Sequence, residues 1–248
     1  FSEINIGGLA IAHNGNLTNT NYLKEKLIKN GAIFQSTSDT EVILAAYDKW
    51  GEKCLDYFNG MFAFAIVEHE TQEVFLARDR LGIKPLYFVQ EEESFSFSSE
   101  PKSLIHLLDK QFTLNMDAVC SYLCFRYPVA RQSFFEGVEA LPPGFSMRVL
   151  GGKIVEKKQY WSLADVFAKP KIEDPEQAIA ELKDLLKSSI EYRMIADVPV
   201  GAYLSGGVDS SAIAALMAQM SSHPVRTFTI GFPEDGYNEF EYSRIVAE

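Results

Sequence analysis

The chain has 248 residues, 47% of them hydrophobic, and a formal net charge of −11 at pH 7. That is enough for a buried core and more than one domain, and the acidic balance argues against nucleic acid as the main partner, because duplex binding calls for a basic face. No apolar run approaches the ~20 residues of a membrane span and no signal peptide is visible. Three cysteines without metal-ligand spacing (Cys54, Cys120 and Cys124) read as free thiols in a reducing cytoplasm.

Taken in order, the chain opens on Phe1 rather than Met and reads as an internal piece of a longer protein. Residues 7–13 (GGLAIAH) predict a strand, 21–30 a helix closed by Gly31, and 39–50 a helix with Val42, Ile43, Ala46, Tyr47 and Trp50 on one face. Short strands follow at 61–68, 73–78, 85–90 and 94–98, then helices at 100–108 and 116–125. Residues 148–155 form a hairpin with Gly151-Gly152 as its two-residue turn. The polar stretch 162–174 reads as a linker between a domain spanning 1–161 and another spanning 175–248. From Pro175 the rhythm changes to helix, strand, glycine loop, helix and strand (225–231), the alternation of a parallel, helix-covered sheet.

The glycine loop is Ser205-Gly206-Gly207-Val208-Asp209-Ser210-Ser211. A strand turning through Ser-Gly-Gly into a helix gathers free backbone N–H groups at the positive end of the helix dipole. Glycines let that backbone approach an anion. The Walker loop adds a lysine, and none stands here. Instead Asp209 falls in the first helical turn, where it can hold Mg²⁺ on a released pyrophosphate, with Ser205, Ser210 and Ser211 as hydroxyl donors. Cleavage of ATP to AMP and pyrophosphate fits this set; an ordinary strand-to-helix turn is the plain alternative.

Near the start, His13-Asn14-Gly15-Asn16-Leu17 is either a tight Asn-Gly turn or an oxyanion hole made by the Asn14 amide and the Gly15 N–H. Ser38-Asp39-Thr40-Glu41 has the pattern of a capping box. Arg78-Asp79-Arg80 reads as a strand-end ion pair, Ser98-Ser99-Glu100 as a helix cap, and Cys120 with Cys124 as buried thiols on one helix face.

The loop, preceded by Asp197-Val-Pro-Val-Gly201 and followed by Phe228-Thr-Ile-Gly-Phe232, resembles the pyrophosphate loop of the glutamine-hydrolysing asparagine synthetases. Phe58-Asn-Gly-Met-Phe-Ala-Phe-Ala65, Ala77-Arg-Asp-Arg-Leu-Gly-Ile-Lys-Pro-Leu-Tyr87 and Leu141-Pro-Pro-Gly144 are similar to that family's glutaminase motifs and stand in its order. Residues 7–40 look more like the glutaminase of the amidophosphoribosyltransferases, with the join near 39–42.

The resemblance implies an N-terminal-nucleophile sandwich of two antiparallel sheets between helices (αββα), then the start of a parallel-sheet ATP-pyrophosphatase domain. It implies glutamine held by Asn14, Gly15, Asn16 and Asp39, with Asp39 on the α-amino group. Asn16 stands where the synthetases carry an acid. ATP would lie on Leu204 to Ser211 and on Ile230, with Mg²⁺ at Asp209, and an aspartate carboxylate would be adenylated and then aminated. A cytoplasmic enzyme, compatible with a homodimer, follows. The family's nucleophile is an N-terminal cysteine whose own amine is the base. Residue 1 is Phe, so the chain as it stands is expected to be inactive as a glutaminase. The alternatives are a related amidotransferase acting on another carboxylate, in polysaccharide or antibiotic assembly, and a non-catalytic binding domain derived from such an enzyme.

Overall fold

The computed structural model describes residues 8–129, 132–196, 198–234 and 238–248. Gly7 of the first predicted strand and Asp197 of the loop-flanking motif lie outside them. The chain divides into two compact units, Phe1–Lys169 and Pro170–Glu248.

The first unit is built on a five-stranded antiparallel sheet in the order β1-β2-β3-β7-β8. Its strands are β1 (Leu9–Leu17), β2 (Gly60–Glu68), β3 (Val74–Arg78), β7 (Phe145–Leu150) and β8 (Lys153–Gln159). A second sheet has the order β5-β4-β6, formed by β4 (Tyr87–Gln90), β5 (Phe95–Ser98) and β6 (Glu139–Ala140). Period-two alternation sorts the side chains into layers. Leu9, Ile11 and Leu17 of β1, Phe62, Phe64 and Ile66 of β2 and Phe75 of β3 pack with buried residues of α1 (Thr20–Ile28) and α2 (Asp39–Trp50). Ala63, Ala65, Leu76, Met147 and Val149 point the other way, onto Phe88 of the second sheet and Leu86 just before it. Beyond that sheet, Val89 and Val138 meet Leu104 of α3 (Pro101–Leu107). The layers therefore run helix, sheet, sheet, helix, the predicted αββα sandwich.

Local signals place most of these elements. α2 fills the predicted residues 39–50, and α4 (Met116–Phe125) fills 116–125. Gly151 and Gly152 take φ of +56° and +73°, the left-handed pair that a two-residue hairpin needs. Three expectations are corrected. Cys120 and Cys124 are exposed, because α4 buries only Ala118; Cys54 alone is buried, and burial pushes its thiol pKa up. Glu100 gives α3 no side-chain cap; its own N–H donates to Ser98 Oγ instead. Within the stretch read as a linker, Ser162 caps a short helix, α5 (Leu163–Phe167).

A further correction concerns Arg78 and Asp79. They form no ion pair among the described residues. Asp79, 1% exposed, accepts four backbone N–H groups: Leu81 and Ile83 on Oδ1, at 3.1 and 3.0 Å, Lys84 and Phe62 on Oδ2, at 2.9 and 3.3 Å. Arg78 donates to the carbonyls of Lys84, Leu141 and Gly82. Gly144 N–H reaches the Asp79 carbonyl, and the Tyr160 hydroxyl donates to the Arg78 carbonyl at 2.6 Å. The two charges thus knot the 79–84 loop, the 141–144 turn and the end of β8 onto β2. Adjacent strand-end side chains diverge, so each charge finds the backbone rather than its neighbour.

The second unit holds α6 (Pro175–Arg193), capped by Asp174, and the parallel pair β9 (Gly201–Tyr203) and β10 (Arg226–Phe228). α7 (Val208–Met220) follows β9, and α8 (Phe240–Ala247) follows β10. Among the described residues, its buried apolar side chains are Ile190, Leu204, Ala214 and Met217. No helix among the described residues is long and apolar enough to cross a membrane.

Asp79→Asn keeps the shape but puts an amide N–H₂ against N–H donors. It should lower the free energy of unfolding of the first unit by about 3 kcal/mol, read from urea denaturation. A loss under ~1 kcal/mol contradicts the knot's role.

Candidate functional site

The first candidate site is built on the end of β1. The ladder with β2 runs unbroken from Leu9↔Glu68 to Leu17↔Gly60, so Asn14-Gly15 is strand and not a turn. Asn14 pairs with Ala63 and Gly15 with Phe62. A Cβ on Gly15 would fall 2.1 Å from the Met61 carbonyl oxygen, so the close cross-strand approach admits only glycine there. Alternation sends His13 toward the helical layer with Ile11 and Leu17, and Asn14 and Asn16 toward the other face. Asn14 Nδ2 donates to Ser99 Oγ at 3.0 Å. Asn14 and Ser99 line one cleft of about 470 Å³, with Ala12, Ala63 and Ala65 among its apolar walls. No cysteine lines it.

Asp39 comes to the same strand end from α2. Its Oδ2 accepts the Leu17 N–H at 2.9 Å, and its Oδ1 lies 3.9 Å from His13 Nδ1. The fold therefore brings Asp39 to the strand of Asn14, Gly15 and Asn16. The Asn16 side chain makes no hydrogen bond to described residues. The capping box is only half formed. Ser38 Oγ accepts the Thr40 N–H, but Glu41 turns back to the loop before it, accepting Gln35 N–H, Ser36 N–H and Ser36 Oγ–H. Burial alone would raise the Glu41 pKa; these hydrogen bonds outweigh it and hold the carboxyl below its ordinary range.

His13 and Ser99 are the residues that sequence reasoning passed over. His13 interrupts the apolar run Leu9, Ile11, Leu17 at a core-facing position, and a polar group there signals a partner. Its Nδ1 lies 3.1 Å from Thr40 Oγ1, and its buried Nε2 has no partner among the described residues. Ser99 carries no such signal, because its partner lies in the other sheet.

The second candidate site is the start of α7. Leu204 follows β9 and Ile230 lies just past β10, at the carboxyl ends of two parallel strands, where ligands of such sheets bind. Gly207 is the N-cap and supplies no side chain, so the N–H groups of Val208, Asp209 and Ser210 open the helix without a capping partner. Asp209 is exposed and engages no described residue. Ser205 Oγ and Ser210 Oγ lie 2.9 Å apart, and Ser210 Oγ also donates to the Gly207 carbonyl. The Ser211 side chain makes no hydrogen bond to described residues; its N–H begins the helical ladder at Gly207 O.

The glycines divide their work in a way the sequence does not predict. Gly206 takes φ +82°, and a Cβ there would lie 2.5 Å from Tyr242 Cβ and 2.7 Å from Ser243 N, so its open face is filled by α8. Gly207 faces open space, with only Ser205 Oγ at 3.5 Å. An approaching anion would meet Gly207. Leu204 is less available to a base than expected: its N–H donates to Phe228 O and its carbonyl accepts Thr229 Oγ1–H. Ile230 is 67% exposed. Uncapped donors, two hydroxyls and a first-turn carboxylate fit a metal-bound polyphosphate. Among the described residues no three His, Cys, Asp or Glu side chains gather to hold a metal unaided.

Burial lowers the pKa of His13, Asp39 opposes the shift and Lys84 reinforces it, so the folded state favours the neutral ring. Its folded pKa then lies below the unfolded value near 6.5, and stability is complete above that pH and lost as pH falls through the window beneath it. Between pH 7 and pH 5 the unfolding free energy of the first unit should fall, and His13→Phe should flatten the slope. Equal slopes in the two proteins would refute the assignment.

A family described as "Glutamine amidotransferase domain" matches residues 4–161, and one described as "Asparagine synthase" matches residues 181–248. The chain is 36% identical to "Putative asparagine synthetase [glutamine-hydrolyzing] 2" of Methanocaldococcus jannaschii, covering 99% of this chain and 47% of that protein. It is 32% identical to "Asparagine synthetase [glutamine-hydrolyzing] 3" of Bacillus subtilis, covering 91% of this chain and 37% of that protein. It thus spans half or less of the length of these curated relatives. Among solved structures, the glutamine phosphoribosylpyrophosphate amidotransferase of B. subtilis aligns with 95% of this chain and 49% of that one, at 20% identity and a TM-score of 0.43. The amidotransferase match covers most of the chain and contains the whole β1–α2 site, and on it the chain belongs to the glutamine amidotransferase domain family.

Proposed function

We propose that this chain is part of a glutamine-hydrolysing asparagine synthetase: nitrogen released from glutamine in the first unit is joined to an aspartate side-chain carboxylate activated by ATP in the second. The observation that carries the reading is the uncapped start of α7, with Gly207 open and Asp209 unengaged, in one chain with an amidotransferase domain. In the first unit, Asp39 binds the α-amino group of glutamine. The Asn14 amide and Gly15 N–H receive the oxyanion of the tetrahedral intermediate, stabilising charge that develops only in the transition state. Asn16 completes the pocket.

In the second unit, the N–H groups of Val208, Asp209 and Ser210 receive the β- and γ-phosphates, which leave together as pyrophosphate. Ser205, Ser210 and Ser211 donate hydroxyl hydrogen bonds, which requires the Ser205–Ser210 contact to open. Leu204 and Ile230 flank the adenine. When bound, Mg²⁺ at Asp209 neutralises the leaving pyrophosphate. The three free cysteines fit a cytoplasmic, reducing setting.

The test uses the full-length protein with labelled ATP, aspartate and ammonium. AMP and pyrophosphate are expected as products. Asp209→Asn should abolish ATP–pyrophosphate exchange and leave helix content intact. Gly207→Ala, whose φ of −70° suits alanine, should fold normally and weaken ATP binding at least tenfold. Formation of ADP, or wild-type exchange in Asp209→Asn, sinks the reading; turnover only with a carboxylate other than aspartate corrects the acceptor.

A further inference from the structure

The carboxamide of Asn14 is held from across the sandwich. Its partner, Ser99, is 85 residues away in sequence and sits in the turn between β5 of the smaller sheet and α3. The 3.0 Å contact from Asn14 Nδ2 to Ser99 Oγ is partly buried, and it is the one side-chain hydrogen bond that Asn14 makes among the described residues. The lining beside it includes the methyls of Ala12, Ala63 and Ala65, which cannot orient an amide, and Glu100 and Ser103, neither of which hydrogen-bonds the Asn14 side chain. The neighbouring hydroxyl of Ser98 is already engaged by the Glu100 N–H.

We propose that Ser99 is a positioning residue for amide hydrolysis, fixing the Asn14 carboxamide so that its second N–H is presented to the oxyanion. The inference rests on the glutaminase reading given above. A carboxamide nitrogen carries two hydrogens. One is used by Ser99, and the other stays available at an angle set by the first. A serine hydroxyl tolerates either rotation of its own hydrogen, so what it fixes is the plane and place of the Asn14 head group. Without it, no described side chain holds the amide, which must be ordered in each transition state. Preorganised donors aimed at developing charge contribute about 10²- to 10³-fold each, and loosening one forfeits part of that. Because the oxyanion exists only in the transition state, the loss falls on kcat and spares KM.

The experiment measures glutamine hydrolysis by the full-length protein and its Ser99→Ala, Ser99→Thr, Asn14→Ala and double Ser99→Ala/Asn14→Ala variants, with unfolding midpoints as the check on folding. Ser99→Ala should lower kcat about tenfold with KM within about twofold, and Ser99→Thr, which keeps the hydroxyl, should restore it. The double variant should be no slower than Asn14→Ala, because Ser99 acts only through Asn14. Wild-type kcat in Ser99→Ala, or losses that multiply in the double variant, overturns the positioning role while leaving the glutaminase reading in place. A full-length protein that releases no ammonia from glutamine removes both.

Discussion

A buried carboxylate sets the geometry of the first unit. The Asp79 carboxylate is 1% exposed, and burying such a group without partners is costly. It is tolerated because four backbone N–H groups converge on it, three from the loop that follows and one from Phe62 across the sheet. The Asp79 N–H in turn donates to the Phe62 carbonyl at 2.8 Å, so β2 is gripped at one residue from two directions. Phe62 is the ladder partner of Gly15. The anchor that closes the loop after β3 therefore also fixes where the Asn14-Gly15 strand end lies. A slip of one residue there would exchange the faces of His13 and Asn14 and dismantle both the Asp39 contacts and the Ser99 contact.

Much of this architecture follows from local rules. The alternation of Phe62, Phe64 and Ile66 against Ala63 and Ala65 identifies β2 and its two faces, and Gly151-Gly152 specifies the hairpin. The apolar face of residues 39–50, after a Ser cap, defines α2 to its ends. What escapes such rules depends on partners far along the chain. Arg78 and Asp79 look like an ion pair because opposite charges adjoin, but their carbonyl and N–H partners come from residues 62, 81–84 and 141. Asn14-Gly15 has turn chemistry, and the ladder with residues 62 and 63 overrides it. Cys120 and Cys124 share a helix face as expected, yet spacing alone does not tell which face is covered.

The glycine loop separates two uses of one residue type. Gly206 is required by the fold, since α8 packs into the space a side chain would fill. Gly207 is required by nothing in the fold: its φ is −70° and its Cβ direction is open. A glycine where the backbone and the packing would both admit alanine leaves the loop backbone open to an approach from outside. The Asn14–Asp39 site has the opposite character. Two of its groups are already held: Asn14 by Ser99 in the turn after β5, and Asp39 by the Leu17 N–H.

The central claim is that the two units serve one transfer, with the nitrogen freed in the first ending on the carboxylate activated in the second. The most direct measurement follows glutamine labelled with ¹⁵N at its side-chain amide, supplied with aspartate and ATP to the full-length protein. The account predicts that the label appears in the side-chain amide of asparagine, one equivalent for each AMP formed. Label recovered only as free ammonia, with no ¹⁵N in the product while AMP accumulates, would contradict it.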